Sequence, residues 1–214
     1  MARPTSSLPP APPGRAYRVA KRALDIAVAV VGLVAFWWLF ALIAVLVRAT
    51  SRGPALFRQE RAGLGGRPFL LLKFRTMRLD AELERRALAH LSEMDGPVFK
   101  MRADPRITRV GRFLRRSSLD ELPQLVNVLL GQMSLVGPRP LPLEEARHLP
   151  PECQRRHSVP PGITGLWQVR GRNNLPYAEM MRLDLEYVDR QSFGLDLRIL
   201  LATLPAVVTG RGAF

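Results

Sequence analysis

Residues 26–47 form a run of 22 uncharged and mostly apolar residues, and no other feature constrains the fold of this chain as strongly. At 1.5 Å per residue such a run is long enough to cross the ~30 Å hydrocarbon layer of a bilayer as a helix. A buried helix in a soluble core is the competing reading. A cleaved signal peptide fits poorly, because it has a shorter apolar core and a small-residue cleavage site, whereas this run holds Phe36-Trp37-Trp38 in its middle and is followed by Arg48. Residues 21–49 are therefore predicted to be a membrane-embedded helix. Arg15, Arg18, Lys21 and Arg22 precede the apolar run and Arg48, Arg52, Arg58 and Arg61 follow it, so the positive-inside rule does not choose an orientation. Equal flanks suit a re-entrant hairpin that enters and leaves by one face. A single-pass helix is the alternative.

Residues 1–20, rich in Pro, Ser, Ala and Arg without hydrophobic periodicity, read as a flexible basic tail. Residues 50–214 have the length of one ordinary domain. The net charge of +14 comes almost wholly from Arg, with Lys at Lys21, Lys73 and Lys100, so the chain should attract anions: nucleic acid, anionic lipid or phosphorylated substrates. Cys153 is the single cysteine, which excludes an internal disulfide and a cysteine-based metal site. His90, His148 and His157 are isolated, with no metal-ligand spacing, and suit surface or packing roles.

Gly53-Pro54, Gly63, Gly65-Gly66 and Pro68 punctuate two short apolar stretches, 55–57 and 69–74, that read as strands. Apolar residues at helical spacing predict helices over 80–91, 123–130 and 177–189, and the apolar stretch 195–208 suits a core or interfacial helix. The predicted fold is mixed α and β, mainly helical, with minor β structure.

Chemistry concentrates between Asp104 and Pro140. An arginine cluster (Arg106, Arg109, Arg112, Arg115, Arg116) leads into Ser118-Leu119-Asp120-Glu121-Leu122-Pro123. Pro123 lacks an N–H and is pre-set for a first helical position, which would put Asp120-Glu121 just before a positive helix end, a natural place for anionic ligands. The bland alternative is that Ser118 and Glu121 form an S-x-x-E capping box. A helix starting at Leu119 would, however, carry Pro123 in its interior at the cost of a backbone hydrogen bond. The arginine run is likewise open to reading as a solvated surface. Two further stretches, 131–140 and 161–172, read as Gly- and Pro-punctuated loops whose backbone N–H groups and arginines suit phosphate or nucleobase binding. Neither is a Walker loop or a dinucleotide fingerprint.

Taken in order, Lys21-Arg22 with Asp25, then Gly53-Pro54 with Phe57, Gln59, Arg61 and Gly63, then Lys73-Phe74-Arg75-Thr76-Met77, open a pattern that continues with Ser118-Leu119-Asp120-Glu121-Leu122-Pro123-Gln124-Leu125. Ser134-Leu135-Val136-Gly137-Pro138-Arg139-Pro140 and Pro161-Gly162-Ile163-Thr164-Gly165-Leu166-Trp167-Gln168-Val169 complete it. From Lys21 to Phe214 this pattern resembles the bacterial sugar transferases, the small monotopic polyprenol-phosphate phosphoglycosyl transferases.

The resemblance implies a membrane-attached enzyme of the bacterial inner membrane with its catalytic domain on the cytoplasmic face. It implies that Asp120 matches the nucleophile that attacks a UDP-sugar, expels UMP and holds the sugar phosphate until polyprenyl (undecaprenyl) phosphate accepts it. Glu121 matches the residue associated with Mg²⁺. Arg115 and Arg139 match arginines that grip phosphate or nucleotide, with Lys73, Arg75, Arg112 and Pro138 as further substrate-binding candidates. Structural pairing with the acidic residues of the domain is the alternative for Lys73 and Arg75. Members of the family commonly carry Ser-Pro in the membrane helix, where Trp37-Trp38 stands here, so either the indoles hold the bend or the helix is straighter. Larger relatives carry several membrane helices before this unit, and the chain is expected to be the minimal form or a fragment. A homo-oligomer is compatible with the pattern. A membrane-tethered nucleic-acid-binding module and a lipid-phosphate hydrolase are the other function classes the residues allow.

Overall fold

The computed structural model describes residues 14–93, 101 and 103–210. The chain opens with α1 (Arg15–Ala35) and α2 (Trp37–Thr50), separated at Phe36 and bent by 64°. Among the described residues no single helix is long and apolar enough to cross a membrane, but this bent pair together is. The bend has an identifiable holder: the Trp38 indole N–H donates to the Ala35 carbonyl at 3.1 Å, occupying an acceptor that the break leaves without a helical partner. The helical register resumes on either side through Phe36 N–H to Gly32 and Phe40 N–H to Phe36. Apolar side chains along both helices are exposed, among them Val31, Val34, Trp37 and Val45.

Two sequence expectations change here. Most of the basic tail lies outside the described residues, but Arg15 to Ala20 are the first turns of α1 rather than tail. Moreover, the polar residues before the apolar run are not free flanking charges. Lys21 donates to Asp196 and to the Val136 carbonyl, each at 2.9 Å. Arg22 donates to the carbonyls of Val128 and Leu129, and Asp25 accepts from Ser134 Oγ and Leu135 N–H. They bolt α1 to the rest of the protein.

β1 (Leu56–Ala62) and β2 (Pro68–Phe74) form an antiparallel hairpin with Leu56 opposite Phe74 and Ala62 opposite Pro68, closed by a 3-10 turn in which Gly65 and Gly66 have positive φ. α3 (Ala81–Leu88) continues into a 3-10 turn, and α4 (Arg109–Arg116) follows, capped by Thr108, whose hydroxyl accepts from Gly111 N–H at 2.9 Å. Gly111 is required where it stands, since a Cβ there would lie 2.0 Å from the Thr76 carbonyl oxygen. α5 (Gln124–Leu129) begins one residue after Pro123. α6 (Leu143–Arg147), a 3-10 stretch over Pro151–Ser158 and α7 (Leu166–Arg170) lead to α8 (Tyr177–Arg190) and α9 (Phe193–Thr209).

The stretches read as loops over 131–140 and 161–172 contain a parallel pair, β3 (Ser134–Val136) beside β4 (Gly162–Thr164), as well as α7. Three-residue buried strands carry no readable periodicity, and their partners lie far apart in sequence. The main core gathers Ala29 of α1, Val128 of α5, Val136 of β3, Leu183 and Tyr187 of α8 and Ile199 of α9. A second cluster packs Ile43 and Val47 of α2 against Phe74 of β2 and Leu114 of α4. Burial of apolar area in these two layers is what holds the helices to the hairpin.

Candidate active site

A cavity of about 510 Å³ opens between the β hairpin, the end of α4, the start of α5, α7 and α9. Its polar lining includes Lys73, Arg115, Asp120, Glu121 and Arg139, five residues that the sequence pattern singles out.

The local chain explains how Asp120 gets there. α4 stops at Arg116, Ser118 turns the backbone into the left-handed region at φ 57°, and Leu119–Glu121 make one 3-10 turn before α5. The capping-box reading does not hold: the Ser118 side chain makes no capping hydrogen bond. Nor is α5, with six residues, a long enough helix to make its N-terminus the source of the positive field. Side chains supply it instead.

Asp120 is 7% exposed, and its carboxylate accepts no hydrogen bond from any described residue. Burial, with the neighbouring Glu121 charge adding to it, pushes its pKa up to about 6, while Lys73, Arg115 and Arg139 pull the other way. Lys73 is pushed down to about 7 by burial and by Arg61, Arg115 and Arg139, with Asp120 opposing them. Its ammonium lies 5.1 Å from the Phe57 ring centroid. Arg139 pairs with Glu121 at 2.6 Å, which raises its pKa, and Arg115 donates Nε–H to Thr76 Oγ1 at 2.9 Å while burial lowers its pKa.

Three predicted residues lie elsewhere. Arg75 is buried, and its guanidinium donates to the Ser51 carbonyl and hydroxyl at 2.9 Å and to the Arg52 carbonyl, so it clamps the end of α2 to the hairpin. Arg112 is exposed on α4, about one turn before Arg115, and does not line the cavity. Pro138 is buried, its carbonyl taken by Gly162 N–H at 2.9 Å, and shapes the loop that carries Arg139. The cavity in turn contains residues not singled out one by one in the sequence: Arg61, Thr203 and, from the stretch over 161–172 read as suited to phosphate or nucleobase binding, Thr164, Trp167, Gln168 and Arg172. Arg61, Thr164, Trp167 and Gln168 stand in the quoted motifs, but nothing local told which way they face. Among the described residues, the two non-glycine residues with positive φ are Ser118 and Arg172, and both line the cavity. Strained backbone gathers at functional sites, and that signal exists only in the folded chain.

Among the described residues no group of three His, Cys, Asp or Glu side chains could hold a metal ion alone. Glu121 lines the cavity beside Asp120, and a magnesium ion held by its carboxylate would take its remaining oxygens from water and substrate phosphates, which is how Mg²⁺ is commonly bound.

A buried carboxylate faced by cations suits chemistry on multiply anionic substrates. The sequence places it further: the profile of the bacterial sugar transferases matches residues 16–210, and the chain belongs to that enzymatic family. It is 44% identical over 201 residues to the galactosyl transferase CpsE of Streptococcus agalactiae, covering 92% of this chain and 44% of that protein. It is 43% identical over 212 residues to the UDP-glucose:undecaprenyl-phosphate glucose-1-phosphate transferase of Caulobacter vibrioides, covering 94% and 74%. With the exopolysaccharide production protein ExoY of Rhizobium meliloti it shares 41% identity over 200 residues, 92% of this chain and 88% of that one. The chain thus spans less than half the length of the first of these relatives.

Proposed function

We propose that this protein transfers a sugar 1-phosphate from a UDP-sugar to undecaprenyl phosphate through a covalent aspartyl intermediate on Asp120, the first membrane-bound step of a glycan assembly. The observation that carries the reading is the state of Asp120: buried, accepting no hydrogen bond, and faced by Lys73, Arg115 and Arg139. No other described side chain engages the Asp120 carboxylate, which lines the cavity, and the three cations offset the repulsion of an incoming diphosphate. Relatives named for undecaprenyl-phosphate glucose-1-phosphate transfer support the choice of substrates.

In the first half-reaction a carboxylate oxygen of Asp120 attacks the sugar-bearing phosphorus. A new O–P bond forms, the bond to UMP breaks, and UMP leaves with the electron pair. In the second, a phosphate oxygen of undecaprenyl phosphate attacks the same phosphorus, and the Asp120 carboxylate is restored. Lys73, with its pKa near 7, is drawn to its charged form when phosphate enters, and so matches its charge to the occupied site. Arg139 steadies Glu121 at 2.6 Å and faces the same space as Asp120. Glu121 would hold Mg²⁺, which when bound would neutralise charge on the diphosphate and the departing phosphate. The bent α1 and α2 pair, with its exposed apolar side chains, would seat in the cytoplasmic face of the inner membrane as a re-entrant hairpin and bring the site to the lipid acceptor.

The test mixes purified protein, Mg²⁺ and a panel of UDP-sugars without lipid acceptor, and reads UMP release and intact mass beside Asp120→Asn. A sugar-phosphate adduct that forms only with Asp120 is the expected result. An adduct that persists in the Asn variant removes Asp120 from the role. Free sugar phosphate in place of polyprenyl-diphosphate-sugar once acceptor is added would identify a hydrolase.

A further inference from the structure

Behind the cavity wall lies a second charged pair that the chemistry above does not use. Arg156, in the 3-10 stretch, and Asp184, on α8, are 2% and 1% exposed, and their Nη2 and Oδ2 atoms are 2.6 Å apart. Arg156 Nε–H donates to the same Asp184 oxygen at 3.1 Å. An ion pair this deep in a core is a poor stabiliser, since the desolvation of both charges offsets most of their attraction and a well-packed apolar pair serves as well or better. Its geometry points to another role: Arg156 Nη2 also donates, at 2.7 Å, to the backbone carbonyl of Arg139.

The loop over 137–140 is tied down peptide by peptide. Gly137 N–H donates to Thr164, Pro138 carbonyl accepts from Gly162, and Pro140 carbonyl accepts from Arg61 at 2.8 Å. Pro138 and Pro140 fix their own φ, and the residue before each proline is pushed to extended backbone. What remains is the orientation of the Arg139 peptide, and the Arg156 clamp sets it from behind. From that fixed peptide the Arg139 side chain reaches forward to Glu121 at 2.6 Å.

We propose that Arg156 and Asp184 are positioning residues: the buried pair holds the Arg139 carbonyl so that the Arg139 guanidinium meets Glu121 and the donor phosphates in a single geometry. This rests on the reading of Arg139 as a substrate-facing cation. Asp184 keeps the guanidinium fork in one orientation, and the fork reaches two acceptors at once, which an ammonium on a shorter stem does less well.

The test compares wild type, Arg156→Lys and the double variant Arg156→Met with Asp184→Leu, measuring thermal unfolding and the kcat and KM of UMP release. In the double variant the expected result is an unfolding midpoint close to that of wild type with kcat reduced about 10- to 100-fold and KM moved much less, since a small misplacement of a transition-state cation costs that much. Arg156→Lys should fall between the two. A folded double variant with wild-type kcat overturns the proposal. If the double variant does not fold, Arg156→Lys carries the test, and wild-type kcat in that variant overturns it equally. Should the wild type release no UMP from any UDP-sugar, the donor reading fails instead, and positioning is read from inorganic pyrophosphate. Pyrophosphate raising the unfolding midpoint of wild type more than that of Arg156→Lys supports the clamp, and equal shifts overturn it.

Discussion

Asp120 and Asp196 are both almost wholly buried carboxylates, 7% and 2% exposed, yet the fold treats them in opposite ways. Asp196, at the start of α9, accepts from Tyr17 at 2.9 Å, Lys21 at 2.9 Å and Tyr187 at 2.8 Å, so its lone pairs are engaged and its charge is balanced. That network joins α1, α8 and α9, and Lys21 and Tyr187 extend it to the Val136 carbonyl of β3. Asp120 has cations around it but no hydrogen bond from any described residue. Asp120 instead lines the cavity, where water and incoming phosphate reach it. The comparison teaches that charge neighbours and hydrogen-bond partners are separable. A carboxylate with both builds the fold, and one with cations alone is left with its lone pairs free to react.

The largest expected effect that bears on this contrast is functional. Asp120→Asn should abolish adduct formation and cut UMP release by about 10³-fold or more, as loss of a nucleophile does. Its unfolding midpoint should stay close to that of wild type, because Asp120 holds no described residue by a hydrogen bond and burial already opposes its charge. Asp196→Ala should do the reverse in stability. It leaves Lys21 and two tyrosine hydroxyls without their shared acceptor and should cost about 3–5 kcal/mol in denaturant unfolding, as breaking a buried ion pair does. If Asp120→Asn destabilises as much as Asp196→Ala, the distinction drawn here is broken.

His157 offers a control remote in role from the nucleophile, since it too is buried with Nε2 lacking a partner among the described residues. Burial, aided by Arg156, pushes its pKa down from 6.5 to about 4. The unfolded chain therefore takes up a proton in that window that the folded chain refuses. Its contribution is complete above about pH 6.5 and is lost progressively as pH falls to about 4, to a total of about 3 kcal/mol. The stability of wild type relative to His157→Gln should fall by that amount between pH 7 and pH 4. A flat difference would mean that the imidazole finds a partner when it charges.

The smallest effect concerns the shape of the pH profile. The kcat/KM of UMP release should rise through about pH 6 as Asp120 ionises and decline above about pH 7 as Lys73 of the free enzyme loses its charge. Lys73→Arg, charged throughout, should remove the alkaline decline and leave the acid limb where it was. An unchanged alkaline limb would assign that decline to another group.

Much of the local architecture was legible in the residues. Strands over 55–57 and 69–74 and helices over 123–130, 177–189 and 195–208 appear within a few residues of their predicted places, though the first strand is longer and α5 starts one residue later. The apolar run did become helical, with a bend at Phe36 that its composition did not locate. The site was legible as a set of motifs but not as a set of contacts. From one arginine-rich helix Arg115 enters the cavity while Arg112 stays in solvent, and the motif arginine Arg75 serves as a clamp on α2. Arg156 drew no attention at all.

What the sequence determined by itself was therefore whatever depends on neighbours three or four residues away: periodicity and punctuation by Gly and Pro. What the tertiary structure alone decided was which charges meet, because an ion pair such as Arg139 with Glu121, or Arg156 with Asp184, joins residues 18 or 28 positions apart. A long flexible side chain carries no signal of its direction until packing chooses the partner, removes the water and so sets both its geometry and its charge.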